Sequence, residues 1–329
     1  GVDLVGMGPE SRWNTEDEVS QVRDMGPDCH QRMRFGAYLR GAEMFDNEFF
    51  SLSPSESLAM DPQQRLCLEH GYQALHSAGE TRATVLDTDI SVFLALSSQD
   101  FGSVIQGLNG WQSPYAATGS SQSIASGRLS FCLGLQGACC HIDTACSAGL
   151  SAVCFARNAL YLRQCVSSIV LGVNLMLIGH VHRAFALAGM TSVDGKCFTL
   201  DARANGFVRA EACGAAYLQC DRAGDEEVSR NYILAVSVRS DGKSASLTAP
   251  NGQSQCKLIA TAHSTAGISA EMLALEEMHG TGTALGDPTE VASLLRALEE
   301  VQKKHSFSIS SLKANVGHLE PSSGIAGIM

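Results

Sequence analysis

The sequence has no surplus of positive charge: 23 Lys and Arg stand against 34 Asp and Glu, giving a formal charge of −11 and a pI near 5.3. That balance leaves no basic footprint for nucleic acid or for an anionic membrane surface. Long hydrophobic runs are missing too. The most apolar stretch, 166–178, is interrupted by Ser167, Ser168, Gly172 and Asn174 and falls short of the roughly 20 residues that cross a bilayer. No C-x-x-C pair occurs among the twelve cysteines, and His180-Val181-His182 has no thiol or carboxylate cluster beside it, so a zinc site has no support. For a chain of 329 residues those cysteines are sparse, and several lie in apolar runs (Cys132, Cys139, Cys140, Cys154). They read as buried thiols in a reducing compartment, not as a disulfide scaffold. Internal repeats and low-complexity tracts are absent as well.

What is present points to a globular α/β chain. Apolar residues make up 45% and charged residues 17%, which excludes a disordered tail and a coiled coil. The length allows two domains, or one large α/β domain, at roughly 150 residues per domain. Short apolar runs at 90–96, 138–143, 168–173, 214–218, 232–238, 272–278 and 307–310 read as strands, with stretches of helical period between several of them. Such alternation predicts crossover units on a parallel or mixed sheet. Asp287-Pro288-Thr289-Glu290 reads as a helix start, with Asp287 as cap, Glu290 as capping-box carboxylate, and Val291, Leu294, Leu295 and Leu298 following on one face. Segments 102–126 and 240–255, rich in Gly, Ser or turn signals, read as long loops. The polar segment 221–227 is the expected boundary between two halves, 1–221 and 222–329.

Three clusters carry chemistry. In the first, a strand-like run ends near Thr144 and a helical pattern with Leu150, Val153, Cys154, Leu160 and Tyr161 on one side follows Asp143-Thr144-Ala145-Cys146-Ser147. Cys146 is therefore expected at a helix N-terminus, where free amides and the dipole favour the nucleophilic thiolate. This is the arrangement of a nucleophile elbow with sulfur in place of oxygen. The alternative is one more buried thiol among twelve.

The second cluster, Glu277 to Asp287, puts His279 where a strand ends and a glycine-rich loop begins. Gly280, Gly282 and Gly286 approximate a dinucleotide fingerprint, but the spacing is one residue too long, and Asp287 would repel a phosphate from the following helix. The third cluster, Lys313-Ala314-Asn315-Val316-Gly317-His318-Leu319-Glu320, again follows a strand. A cysteine, a histidine, and a lysine with a second histidine at three strand ends support thiol nucleophilic catalysis with imidazole assistance. By themselves they do not separate an acyltransferase from a cysteine hydrolase.

Together the three clusters resemble the condensing enzymes, specifically the β-ketoacyl synthase (ketosynthase) domains of type I modular polyketide synthases. Met60-Asp61-Pro62-Gln63-Gln64-Arg65, Ser126-Gly127-Arg128-Leu129-Ser130 and 201–209 add supporting motifs, and the resemblance runs along the whole chain. It implies a thiolase-like layered fold of two similar α/β halves, usually in a homodimer. It also implies an acyltransferase in polyketide or fatty acid biosynthesis that binds no cofactor directly. Substrates would arrive on the phosphopantetheine arm of an acyl carrier protein, an acyl chain would load onto Cys146, and decarboxylation of a malonyl-type extender would give the enolate that attacks it. On the same resemblance His279 and His318 stabilise the enolate oxygen, and the Cys146 backbone N–H forms part of an oxyanion hole. Lys313 pairs with Glu320 and holds His318, and Thr281 and Thr283 bind the pantetheine arm.

Departures from the family pattern belong to the same reading. Asn205 stands for a usual aspartate, Ala210 and Ala212 for usual glycines beside Glu211, and a helix expected between Met7-Gly8 and Ser11-Arg12-Trp13 is missing. The family's C-terminal glycine-phenylalanine-glycine-glycine loop does not occur before Met329, so the resemblance implies a fragment of a longer product with an unfinished second half. An incomplete, non-condensing domain that docks carrier proteins or passes chains is the alternative. Neighbouring polyketide synthase domains are expected as partners, and the expected compartment is the cytoplasm or an organelle stroma.

Overall fold

The computed structural model of the chain describes residues 3–108, 112–221, 231–268, 270–298 and 306–329. A short antiparallel ribbon, β1 (Gly6–Met7) with β2 (Phe35–Gly36), lies beside the main sheet. That sheet contains β3 (Ile90–Ala95), β4 (Cys139–Ile142), β5 (Ser167–Asn174) and β6 (Ala212–Gln219), in the order β4-β3-β5-β6. β3 pairs in parallel with both β4 and β5, and β6 closes the other edge antiparallel to β5. A second, two-stranded parallel sheet joins β7 (Leu275–Glu277) to β8 (Ser308–Ser310).

β3 and β5 are buried along their whole length, as uncharged strands covered on both faces must be. Ten helices matter to the architecture and the site: α1 (Pro62–Ser77), α2 (Asp100–Gly107), α3 (Ala116–Ser120), α4 (Gln122–Leu133), α5 (Ala148–Tyr161), α6 (Gly179–Leu187), α7 (Gly252–Ala266), α8 (Gly286–Ala297), α9 (Lys313–Val316) and α10 (Ser323–Ile328). On one face of the main sheet α1 and α4 bury Leu66, Leu68, Leu75, Leu129 and Leu133 against Val92, Leu94, Ile169 and Leu171. On the other, α5 packs Ala148, Ala152, Val153 and Ala156 against Phe93, Ala95 and Val170, with Ile325 of α10 joining them. The side chains of each strand thus alternate between two cores, and the result is a helix–sheet–helix layering.

Several expectations need correction. Segment 102–126 is not a long loop: α2 and α3 lie largely within it and α4 begins there, because Phe101, Ile105, Ala116 and Ala125 are buried and tertiary burial overrides weak local propensity. Segment 232–238 forms no strand; Tyr232, Leu234 and Val238 are exposed, and among the described residues no strand pairs with it, so its β-branched character finds no partner. Most of the expected boundary at 221–227 lies outside the described residues. α5 buries its alanines, while Leu150 and Tyr161 face outward. Only Cys67, Cys165 and Cys197 are buried; Cys139, on the edge strand β4, is exposed. No helix among the described residues is long and apolar enough to cross a membrane.

Candidate active site

Cys146 sits on the turn between β4 and α5. Ala145 just before it adopts φ +53°, a left-handed conformation uncommon for a residue with a Cβ. Local bonds hold it there: the Asp143 carboxylate accepts from the Ala145 N–H and from the Ser97 hydroxyl, and the Ser147 hydroxyl donates to the Thr144 carbonyl. The strained strand-to-helix turn expected of an elbow is present. The expected ionisation is not. The helix proper begins at Ala148, and burial pushes the Cys146 thiol up, with its own backbone N–H and the Lys313 charge opposing. The thiol is therefore the resting form at neutral pH.

His279 follows β7 on a loop gripped by α8. The Glu290 carboxylate accepts from the N–H groups of His279 and Gly280 at 2.6 and 2.9 Å. Asp287 accepts from Gly282, Thr283 and Leu200. These two acids are thus not the cap and capping box that the sequence suggested; Leu285 precedes the helix without a side-chain cap, and both carboxylates anchor the histidine loop instead. Gly282, at φ +77°, leaves no room for a side chain, since a Cβ would lie 2.6 Å from the Phe198 nitrogen. Thr281 is buried, and the Thr283 hydroxyl accepts from the Gly286 N–H.

His318 emerges from the turn after α9. Its N–H donates to the Val208 carbonyl at 2.6 Å, its carbonyl accepts from Ala210 at 2.9 Å, and its Nδ1 lies 3.1 Å from the Ser323 hydroxyl. Phe207 meets the ring edge-on at 5.1 Å. The Lys313–Glu320 pair expected from the sequence does not form. Glu320 is held bidentately by Arg209, Nε to Oε1 at 2.5 Å and Nη2 to Oε2 at 3.1 Å, and among the described residues Lys313 makes no ion pair within 4.0 Å. Arg209 outcompetes the ammonium because its planar fork matches a carboxylate. Lys313 stays buried, its pKa lowered by that burial against the opposing charges of Glu277 and Glu290.

The three reactive side chains meet. One ligand-type atom from each of Cys146, His279 and His318 lies within 4.8 Å of the other two, and the imidazole rings stand edge to face, 5.4 Å apart at 87°. His318 is buried; His279 is partly open to solvent. Crowding by surrounding protein atoms, with the Lys313 charge, nevertheless holds His279 down to about 4. Burial, then His279, Lys313 and Arg209, push His318 well below the ordinary imidazole range. Both rings are neutral at pH 7, each with one N–H to donate. Arg209 ends a supporting motif but had no role assigned to it, and no sequence signal marked Glu290 or Ser323 as parts of this site; their partners are distant in the chain or set by the fold. Asn205 plays a packing role: its amide joins the Ser192 hydroxyl to Asp194.

A layered α/β domain with a half-buried thiol and two neutral imidazoles at strand ends defines a thiol-nucleophile class of site. Comparison with known proteins places the chain more closely. Residues 1–223 match the family described as "Beta-ketoacyl synthase, N-terminal domain" and residues 231–329 its C-terminal domain. The chain belongs to the β-ketoacyl synthase family, with a thiolase-like fold.

Among curated relatives it is 41% identical over 294 residues to a phenolphthiocerol/phthiocerol polyketide synthase protein of Mycobacterium tuberculosis, covering 87% of this chain and 13% of that protein. It is 36% identical to polyketide synthase PksL of Bacillus subtilis, over 97% of this chain and 7% of the other. Among solved structures, the ketosynthase from module 6 of the bacillaene synthase of Bacillus subtilis 168 superposes with a TM-score of 0.85 at 34% identity, covering 99% of this chain and 55% of that one. The oxazolomycin ketosynthase domain OzmH KS7 of Streptomyces albus JA3453 does so with a TM-score of 0.88 at 30% identity, covering 100% and 57%. The chain thus spans a small fraction of these curated relatives and a little over half of the solved ketosynthases.

Proposed function

We propose that this chain carries the reacting side chains of a decarboxylating condensation: an acyl group moves onto Cys146 from the phosphopantetheine arm of an acyl carrier protein and is then extended by two backbone carbons. The Cys146 thiol gives up its proton, its sulfur attacks the incoming thioester carbonyl, and the carrier sulfur leaves with the bonding pair and takes up that proton as a thiol. A malonyl-type group on a carrier protein then loses CO2, and the electron pair of the broken C–C bond becomes a thioester enolate. Its carbon attacks the acyl-cysteine carbonyl, the Cys146 sulfur leaves with the bonding pair, and a β-ketoacyl chain remains on the carrier.

The observation that carries this reading is the convergence of Cys146, His279 and His318 within 4.8 Å. Two neutral imidazoles suit the decarboxylation, which needs no base to remove a proton from carbon but places negative charge on an oxygen. The backbone N–H of Cys146 serves one side of the oxyanion hole, and a donor of that kind is worth about 10²–10³ in rate. Lys313, with no carboxylate partner within 4.0 Å among the described residues, biases the field toward the anionic states. Thr281 and Thr283, beside His279, are assigned to the pantetheine arm. A homodimer belongs to the same reading, since β4 ends the main sheet with an edge that no other strand pairs among the described residues and that suits pairing with a second copy, and neighbouring synthase domains fit the multidomain relatives. Twelve free thiols are in keeping with a reducing compartment.

The test separates the two half-reactions. In the full-length protein Cys146→Ala abolishes acyl loading by intact mass, whereas His279→Ala and His318→Ala still load and lose CO2 release from malonyl-carrier protein. Undiminished loading of the Cys146→Ala protein sinks the reading, and so does undiminished CO2 release by both histidine variants.

A further inference from the structure

His318 is aimed by a turn of unusual conformation. Two residues after it, Glu320 holds φ +51°, a left-handed backbone that a residue with a Cβ keeps only when its surroundings enforce it. The enforcing group is Arg209. Its side chain is 2% exposed and grips the Glu320 carboxylate through two parallel N–H···O bonds, with the guanidinium packed over Phe185 at 5.0 Å. Arg209 also stands between the two backbone groups that bond His318, the Val208 carbonyl and the Ala210 N–H. The turn 318–320 is therefore clamped from one strand-like segment at both its backbone and its carboxylate.

We infer that Arg209 and Glu320 are positioning residues for His318, a bidentate pair that fixes the 318–320 turn and directs the ring at Cys146 and His279. The inference rests on the condensing reading given above. Neither residue touches the reacting atoms; both act through His318. Lys313 acts on His318 as a charge and not as a tether. Misplacement of a catalytic group by about 1 Å can cost on the order of 10² in rate, so loosening this clamp should slow the step that uses His318 and spare the step that uses Cys146 alone.

The experiment measures two rates and a melting curve on the full-length protein. Glu320→Asp keeps the charge but withdraws it by one methylene; Arg209→Lys keeps the charge but removes the fork. Each is expected to lower kcat for CO2 release from malonyl-carrier protein about tenfold or more with KM unchanged, while acyl loading of Cys146 stays within about twofold and the thermal midpoint holds. The double variant should cost no more than the worse single variant, because residues that act as one unit are not additive. Wild-type CO2 release by Glu320→Asp overturns the inference, as does a parallel fall of loading, decarboxylation and thermal midpoint. Loss of folding in both single variants assigns the pair to the fold alone and overturns it too. A wild-type protein that loads Cys146 but releases no CO2 removes the condensing reading and the inference with it.

Discussion

Cys146 is the most exacting residue. Its thiol is raised by burial and lowered by its own N–H and by Lys313, and the thiolate is the reactive form. Alkylation of Cys146 by iodoacetamide should therefore quicken steadily from pH 7 to 9 without a plateau. Removing the ammonium in Lys313→Met takes away a charge that favours the thiolate, so the thiol pKa rises further and alkylation at pH 8 slows. An equal or faster rate in that variant contradicts the electrostatic role given to Lys313. Residue identities were largely legible in the sequence: Cys146, His279 and His318 stand at strand ends where reactive groups of α/β proteins gather, and the fold brings them within 4.8 Å. Their supports were not. Glu320 looked bound to Lys313, seven residues before it, yet its partner is Arg209, 111 residues away, and no local pattern encodes a contact at that range.

At the level of elements, small residues decide how the cysteine helix meets the histidine turn. A Cβ on Gly149 of α5 would lie 2.9 Å from the Pro321 carbonyl oxygen and 3.1 Å from the Ile325 nitrogen. Gly172 of β5 would meet Ser322 and Ile325, both at 3.1 Å. In an isolated helix alanine outranks glycine by about 1 kcal/mol, but here the neighbour is backbone and must move. Gly149→Ala is expected to destabilise by about 1–3 kcal/mol in urea unfolding; a stabilised variant contradicts the close packing of α5 against 321–325. The buried strands β3 and β5 were readable as continuous apolar runs. The helices in 102–126 were not, since their Gly and Ser content signals turns and only the burial of Phe101, Ile105, Ala116 and Ala125 makes them helical. The acids of α8 were misread for a related reason: Asp287 and Glu290 have the spacing of a cap, but the fold turns them onto the His279 loop.

In the whole molecule, the two sets of strand ends supply different parts of one site: β4 leads to the thiol, β7 to one imidazole, and the segment after β8 to the other. The layered architecture could be anticipated because strand and helix periods alternate along the chain. How the layers present three distant clusters to one point could not, because it depends on α5 packing against α10 and the main sheet and on α8 packing against α7 while gripping the His279 loop. The central claim is that Cys146, half-buried, is the acyl acceptor even though Cys139 and Cys220 are the exposed thiols. Incubating the full-length protein with an acyl-pantetheine carrier and mapping the adduct by peptide mass spectrometry tests it directly. The account predicts an acyl thioester on the peptide containing Cys146; an acyl group confined to Cys139 or Cys220, or on no cysteine, contradicts it.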